Sequence, residues 1–235
     1  MMPTTGGRRT RALASAALAL LLGVVCVRGG MADPPMRTLG LFANQILRAL
    51  PFIPLQPYRD CSVALYGDSI LHGGFRMAQR LADPPAAALK RLLPSYRIVD
   101  RSLNGATAHV QLTEFFSEEF TTRFVVLQYG INDAGSDFPL ELPLRTMIRY
   151  VQATGQKPLL TGLAHQLDDL PKRAEYDAIH RALANEFGAP FAQWGSIPFD
   201  RSDFEDPIHP AQAYSHRLVE QLALTLDRAA PECAG

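Results

Sequence analysis

The side chains with the clearest chemical potential are a serine, an asparagine, an aspartate and a histidine, each in a short block with glycine or proline. Ser69 lies in Gly67-Asp68-Ser69-Ile70, directly after a short apolar run. A serine on a strand-to-helix turn presents its hydroxyl at a helix N-terminus, where backbone N–H groups can stabilise an oxyanion. Serine is also a favoured helix cap, and the tripeptide alone does not separate the two roles. Gly105 follows Ser102-Leu103-Asn104 and reads either as a plain turn or as a close approach of backbone to a ligand. Asn132, in Gly130-Ile131-Asn132-Asp133, carries an amide that could donate to a developing negative charge or simply structure a loop. Asp206-Pro207-Ile208-His209-Pro210 pairs an imidazole with a carboxylate three residues earlier. A serine nucleophile needs a base, histidine has the pKa range for it, and a carboxylate can orient the ring. A solvated surface turn is the other reading of that block.

These blocks need a scaffold, and the hydrophobic pattern supplies one. Residues 62–66 (SVALY), 96–100 (YRIVD), 124–129 (FVVLQY), 157–163 (KPLLTGL) and a short run at 190–194 read as strands. Residues 86–93, 107–120, 142–153, 172–187 and 211–229 read as helices. Strands alternating with helices imply an α/β fold with a mostly parallel sheet covered on both faces. In such a sheet, functional groups collect beyond the carboxyl ends of the strands. Ser69, Gly105 and Asn132 each follow a strand, and His209 precedes the last helix.

The order and placement of the four blocks resemble the GDSL esterase, or SGNH hydrolase, family. The name-giving residues would be Ser69, Gly105, Asn132 and His209; Ile70 stands where the eponymous motif has leucine. The resemblance covers about residues 61–228. It implies a three-layer α/β/α sandwich of the flavodoxin-like kind and ester hydrolysis without a metal or other cofactor. Ser69 would attack the carbonyl, His209 would act as base and Asp206 would hold it. The N–H groups of Ser69 and Gly105 and the Asn132 amide would form the oxyanion hole. Acyl transfer to an envelope polysaccharide, sugar O-deacylation and thioester hydrolysis use the same machinery and stay open, beside a non-catalytic binding role.

The remaining signals concern surroundings. Arg8, Arg9 and Arg11 precede a charge-free stretch at 12–27, followed by small residues up to Ala32. That pattern reads as a signal peptide over 1–32, with an uncleaved membrane anchor as the alternative. Residues 33–60 form a proline-rich leader with helical spacing at 39–50, a candidate for peripheral membrane contact, and the hydrolase domain would span 61–235. Without residues 1–32 the chain has 19 basic and 23 acidic residues, so no positive excess points to nucleic acid. It then keeps two cysteines, Cys61 and Cys233. The first precedes the first strand and the second follows a final helix running back to the same end, so a disulfide between them is expected. His72, His109, His165, His180 and His216 show no repeated ligand spacing, and no metal site is expected. Asp68 and Asp133 are read as loop-structuring and Trp194 as core. Phe138, Leu140 and Leu142 are candidates for an apolar wall beside the acyl group of a small-molecule, lipid or sugar ester. Oligomeric state is not legible.

Overall fold

The computed structural model describes residues 60–76 and 79–234. The expected signal peptide and nearly all of the leader, and with them the expected export and membrane contact, lie outside these residues. Among the described residues no helix is long and apolar enough to cross a membrane. In chain order the elements are β1 (Ser62–Gly67), α1 (Ser69–His72), the antiparallel pair β2 (Gly74–Phe75) and β3 (Gln79–Arg80), α2 (Pro85–Leu92), β4 (Arg97–Asp100), α3 (Ala108–Phe115) and β5 (Phe124–Gln128). After these come α4 (Ile131–Gly135), α5 (Glu141–Ala153), β6 (Lys157–Thr161), α6 (Arg173–Phe187), β7 (Phe191–Ala192) and α7 (Gln212–Ala229).

Five parallel strands form one sheet in the order β4-β1-β5-β6-β7. Every residue of β1 and β5 is buried, as expected for central strands covered on both faces. The chain steps outward from β1 to β4, then back past β1 to β5. Right-handed crossovers therefore put α2 and α3 on opposite faces. On one face α2 packs against α7; on the other α5 packs against α3 and α6. The α7 helix buries Ser215, Leu218, Val219, Leu222 and Leu226, a stripe at helical spacing. The fold is α/β with helices on both faces. The strand order reverses at β1, between β4 and β5, and such a switch point opens a crevice at the carboxyl ends of the strands.

Several expected boundaries move. The helix expected over 107–120 ends at Phe115, where the Ser117 hydroxyl and N–H both bond the Glu114 carbonyl and break the register. The last strand shrinks to Phe191–Ala192 and is followed by a 3₁₀ turn at Trp194–Ser196, with Trp194 in the core. Pro158 sits inside β6 without disrupting it. Lys157 N–H bonds back to β5 and Leu160 N–H to Pro190, so by alternation the position-158 nitrogen faces the side where β7 has not yet begun.

Cys61 and Cys233 are joined by a disulfide spanning 172 residues of sequence, at the amino end of β1. Beside it Ser95 Oγ donates to the Cys233 carbonyl (2.6 Å), and the Arg123 guanidinium, nearly buried, pairs with Glu232 (2.6 Å). The bridge thus pins the C-terminal turn to the start of the central strand. Replacing both cysteines with serine is expected to cost about 2–5 kcal/mol. At this chain size that is roughly 4–20 °C in Tm. Calorimetry on the non-reduced protein checks it, and an unchanged Tm would remove the bridge from the stability account.

Candidate active site

Ser69 opens the four-residue helix α1 at the end of β1. Its neighbour Asp68 is the cap: Asp68 Oδ1 accepts from the Ile70 N–H (2.9 Å). Gly67 is needed because the turn runs against β5; a Cβ there would lie 2.5 Å from the Gln128 carbonyl oxygen. Asp68 N–H donates to that same carbonyl and to the Gln128 side chain. Asp68 is fully buried, and desolvation pushes its carboxyl up to about 7 in spite of the Ile70 N–H. With the cap supplied by Asp68, the Ser69 hydroxyl is left for another partner.

That partner is His209, whose Nε2 lies 3.0 Å from Ser69 Oγ across 140 residues of sequence. The other ring nitrogen, Nδ1, lies 2.9 Å from both oxygens of Asp206. Asp206 Oδ1 also accepts from the N–H groups of Ile208 and His209, both at 2.9 Å. Partial burial alone would raise the Asp206 pKa, but these three donors hold the carboxylate below its usual range. The loop itself is braced from two sides. Leu167 and Asp168 N–H, after β6, donate to the Pro207 carbonyl, and Arg76 Nη2 donates to the Glu205 carbonyl (3.1 Å). Neither brace leaves a signal in the sequence, since both end on backbone carbonyls.

The loop after β4 closes against the same turn. Leu103 N–H donates to the Gly67 carbonyl (2.9 Å), which brings Gly105 within two residues of that contact. Gly105 has φ +71° with open space around it, so the backbone twist, not room, calls for glycine. Asn132, on the first turn of α4, donates through Nδ2 to the Ala106 carbonyl (3.1 Å). One amide proton thus ties β5 to the Gly105 turn, and the second remains for a ligand. Asp133 fixes the frame by accepting from the N–H groups of Ala108, His109 and Gly130 at 3.1–3.2 Å. Burial raises its pKa against the pull of those donors. Ser69, Gly105 and Asn132 therefore stand on three hydrogen-bonded loops at one end of the sheet.

One member of the expected apolar wall, Leu140, needs correction. Leu140 is in the core, its Cδ2 and the Leu163 methyls filling the space beside the bare Gly130 Cα. It cannot face a substrate. Leu142 is 43% exposed on the first turn of α5. Phe138 adjoins the Asn132 block, its N–H bonded to the Asp133 carbonyl (2.9 Å) and its ring 4.9 Å from that of His109. Within the motif loops themselves, Leu103 and Ile208 are exposed apolar side chains. Their loops carry Gly105 and His209.

The other histidines have structural partners. His72 Nδ1 meets Ser102 Oγ (3.3 Å), and burial with Arg80 nearby lowers its pKa. His165 stacks on Phe199, and His216 pairs with Asp83 (2.7 Å). His180 is buried, holds the Tyr129 carbonyl (3.0 Å) and is pushed down to about 4 by desolvation. Among the described residues no group of three or more His, Cys, Asp or Glu side chains is placed to hold a metal ion.

The arrangement offers a nucleophile, a base in contact with it, an orienting carboxylate and donors on neighbouring loops. Replacing Asn132 with alanine is expected to lower kcat for ester hydrolysis about 100- to 1000-fold. Asn132→Asp keeps the side chain's size but loses the donor to the Ala106 carbonyl and puts charge against the developing oxyanion, and should be no better. Steady-state kinetics on a p-nitrophenyl ester checks both.

Residues 65–217 match the family model described as the GDSL-like Lipase/Acylhydrolase family. No curated protein sequence matches the chain. Solved structures do. The crystal structure of TesA is 25% identical, with 71% of this chain and 98% of that chain covered and a TM-score of 0.59. A lipase/acylhydrolase from Enterococcus faecalis is 17% identical, covering 72% and 96%, with a TM-score of 0.62. Axe2, an acetylxylan esterase from Geobacillus stearothermophilus, is 15% identical, covering 70% and 93%, with a TM-score of 0.59.

Proposed function

Since the chain belongs to the GDSL-like lipase/acylhydrolase family, we propose that it hydrolyses carboxylic esters through an acyl-enzyme on Ser69. The observation that carries this reading is the 3.0 Å contact between Ser69 Oγ and His209 Nε2, with Asp206 on the opposite ring nitrogen. In the first half-reaction Ser69 Oγ attacks the carbonyl carbon and its proton passes to His209 Nε2. The carbonyl oxygen takes up negative charge and is met by the N–H groups of Ser69 and Gly105 and the free Asn132 amide proton. Collapse breaks the bond to the alcohol oxygen, which leaves with the proton from His209. In the second half-reaction His209 takes a proton from water, the hydroxide displaces the acyl group, and Ser69 recovers its hydrogen. Leu103 and Ile208 give the mouth of the site an apolar edge suited to an acyl group.

We also propose that the enzyme is exported. The basic, then apolar, then small-residue pattern over 1–32 supports this, as does the disulfide, which persists in oxidising compartments.

Hydrolysis of p-nitrophenyl acetate, butyrate and octanoate by the purified chain tests the reaction. A burst of nitrophenol followed by a slower steady rate, with one acetyl group added to the peptide carrying Ser69, is the expected result. Absence of turnover on every ester by a folded sample would sink it.

A further inference from the structure

The Gly105 turn sets an asparagine amide beside a free backbone nitrogen. Residues 103–106 form a β-turn closed by one long bond, from the Ala106 N–H to the Leu103 carbonyl (3.3 Å). Asn104 and Gly105 are its two central residues, and both are exposed. Neither the Asn104 amide nor the Gly105 N–H has a hydrogen-bond partner among the described residues. The Asn104 side chain rests on the bare Cα of Gly74, where an added Cβ would collide with it. Packing alone holds the amide there, and no bond ties its leaving nitrogen.

Asparagine before glycine is a pair in which the chain can attack itself. Hydroxide takes the Gly105 N–H proton, and the nitrogen then bonds Asn104 Cγ to close a succinimide ring. Glycine has no Cβ to block the approach and lets the backbone swing into it. The Cγ–Nδ2 bond breaks, and the nitrogen leaves as ammonia with a proton from water. A second water opens the ring. Breaking the new Cγ–N bond gives aspartate; breaking the original peptide bond gives isoaspartate, whose main chain runs through Cβ and Cγ. The sum is asparagine plus water to acid plus ammonia, with no change of oxidation state. No other asparagine shares the arrangement: Asn44, Asn132 and Asn185 precede Gln45, Asp133 and Glu186. Asn132 and Asn185 also lie in α4 and α6, where the helix fixes their backbone.

The attacking nitrogen is the one assigned above to the oxyanion hole. In the succinimide it carries no hydrogen. In isoaspartate it regains one, but an extra main-chain carbon now lies between two fixed points. On one side the Leu103 N–H is held by the Gly67 carbonyl (2.9 Å); on the other the Ala106 carbonyl is held by Asn132 (3.1 Å). The added length is taken up at Gly105, which moves its N–H.

We propose that Asn104 is a site of self-modification, where deamidation to isoaspartate withdraws the Gly105 donor and switches ester hydrolysis off. The effect on activity rests on the hydrolase reading above; the modification itself does not.

The full chain is stored in mildly acidic and mildly alkaline buffer, and the tryptic peptide spanning residues 102–123 is followed by mass spectrometry that tells isoaspartate from aspartate. Turnover of p-nitrophenyl acetate is read from the same samples. Asn104 is expected to convert, faster in the alkaline buffer because the attacking nitrogen must lose its proton. Turnover should fall in step with isoaspartate, and the isoaspartate form should be about 100- to 1000-fold slower in kcat, the loss of one oxyanion donor. Asn104→Gln, whose ring closure needs one more atom, should keep its own starting rate through the same storage. Asn104→Asp, which adds the charge without rerouting the chain, should stay well above the isoaspartate form. A synthetic peptide of residues 102–123 sets the unfolded rate. Asn104 still intact when that peptide has converted overturns the proposal. So does conversion without loss of turnover, or an Asn104→Asp variant as slow as the isoaspartate form. Conversion in a chain that turns over no ester even when fresh upholds the modification site and removes the hydrolase reading.

Discussion

Replacing Ser69 with alanine is expected to lower kcat on p-nitrophenyl acetate by about 10⁴- to 10⁶-fold, with Tm nearly unchanged. The first half of that expectation follows from the geometry of the hydroxyl. Its partner is His209 Nε2 at 3.0 Å, and alanine offers that base nothing to activate. The second half follows from the division of labour at the start of α1. The cap is Asp68, not Ser69, and alanine suits the first helical position that Ser69 occupies. A serine that only capped a helix would behave in the opposite way, with its loss lowering stability by about 1 kcal/mol and leaving the rate alone. The two roles that the tripeptide alone left open are therefore separated by one variant and two measurements. His209→Ala should fall as far, and the double variant little further, because nucleophile and base act as one unit. Activity within tenfold of wild type in Ser69→Ala would remove the serine from the mechanism.

What the sequence made legible were features whose physics is local or repeated. β5 stood out because a strand covered on both faces must be apolar throughout, and Phe124–Leu127 is. The site blocks stood out because each pairs a reactive side chain with the turn residues that place it. Leu140 shows the limit. Two residues from Phe138 it has the same apolar character, but it fills the gap left by Gly130, a contact no spacing records. The β2 and β3 strands, of two residues each, are too short for any period to appear. The braces on the Asp206 loop run from backbone N–H groups of Leu167 and Asp168, whose side chains say nothing of it. Tyr129 read as the end of a strand, but the ladder stops at Gln128, and the Tyr129 carbonyl turns to His180 instead, a partner 51 residues away that no local pattern records.

Asp206→Asn is the sharper test of how His209 is held, and it is expected to cost about 10⁴-fold in kcat, as the same exchange does in serine-protease triads. Asparagine keeps an oxygen that can accept from the Ile208 and His209 N–H groups, both now bonded to Oδ1, so the loop should keep its shape. The braces from Leu167, Asp168 and Arg76 reach the Pro207 and Glu205 carbonyls and do not involve the carboxylate. What changes is the group facing Nδ1. Both carboxylate oxygens now lie 2.9 Å from it and demand a proton on that nitrogen, which leaves Nε2 free to accept from Ser69. An amide can instead present its NH₂ to Nδ1, turning that nitrogen into an acceptor and placing the ring proton on Nε2. The base then points a hydrogen at the nucleophile. The depressed pKa of Asp206 fits this role, since the carboxylate must stay ionised while the imidazole beside it takes up charge. Asp206→Ala should cost at least as much in rate and also destabilise the loop, because it strips both backbone N–H groups of their acceptor. A large rate loss in Asp206→Asn with unchanged Tm, against a lowered Tm in Asp206→Ala, would separate tautomer control from simple support. Equal kinetics for Asp206→Asn and wild type would show that the 2.9 Å pair orients nothing that the reaction needs.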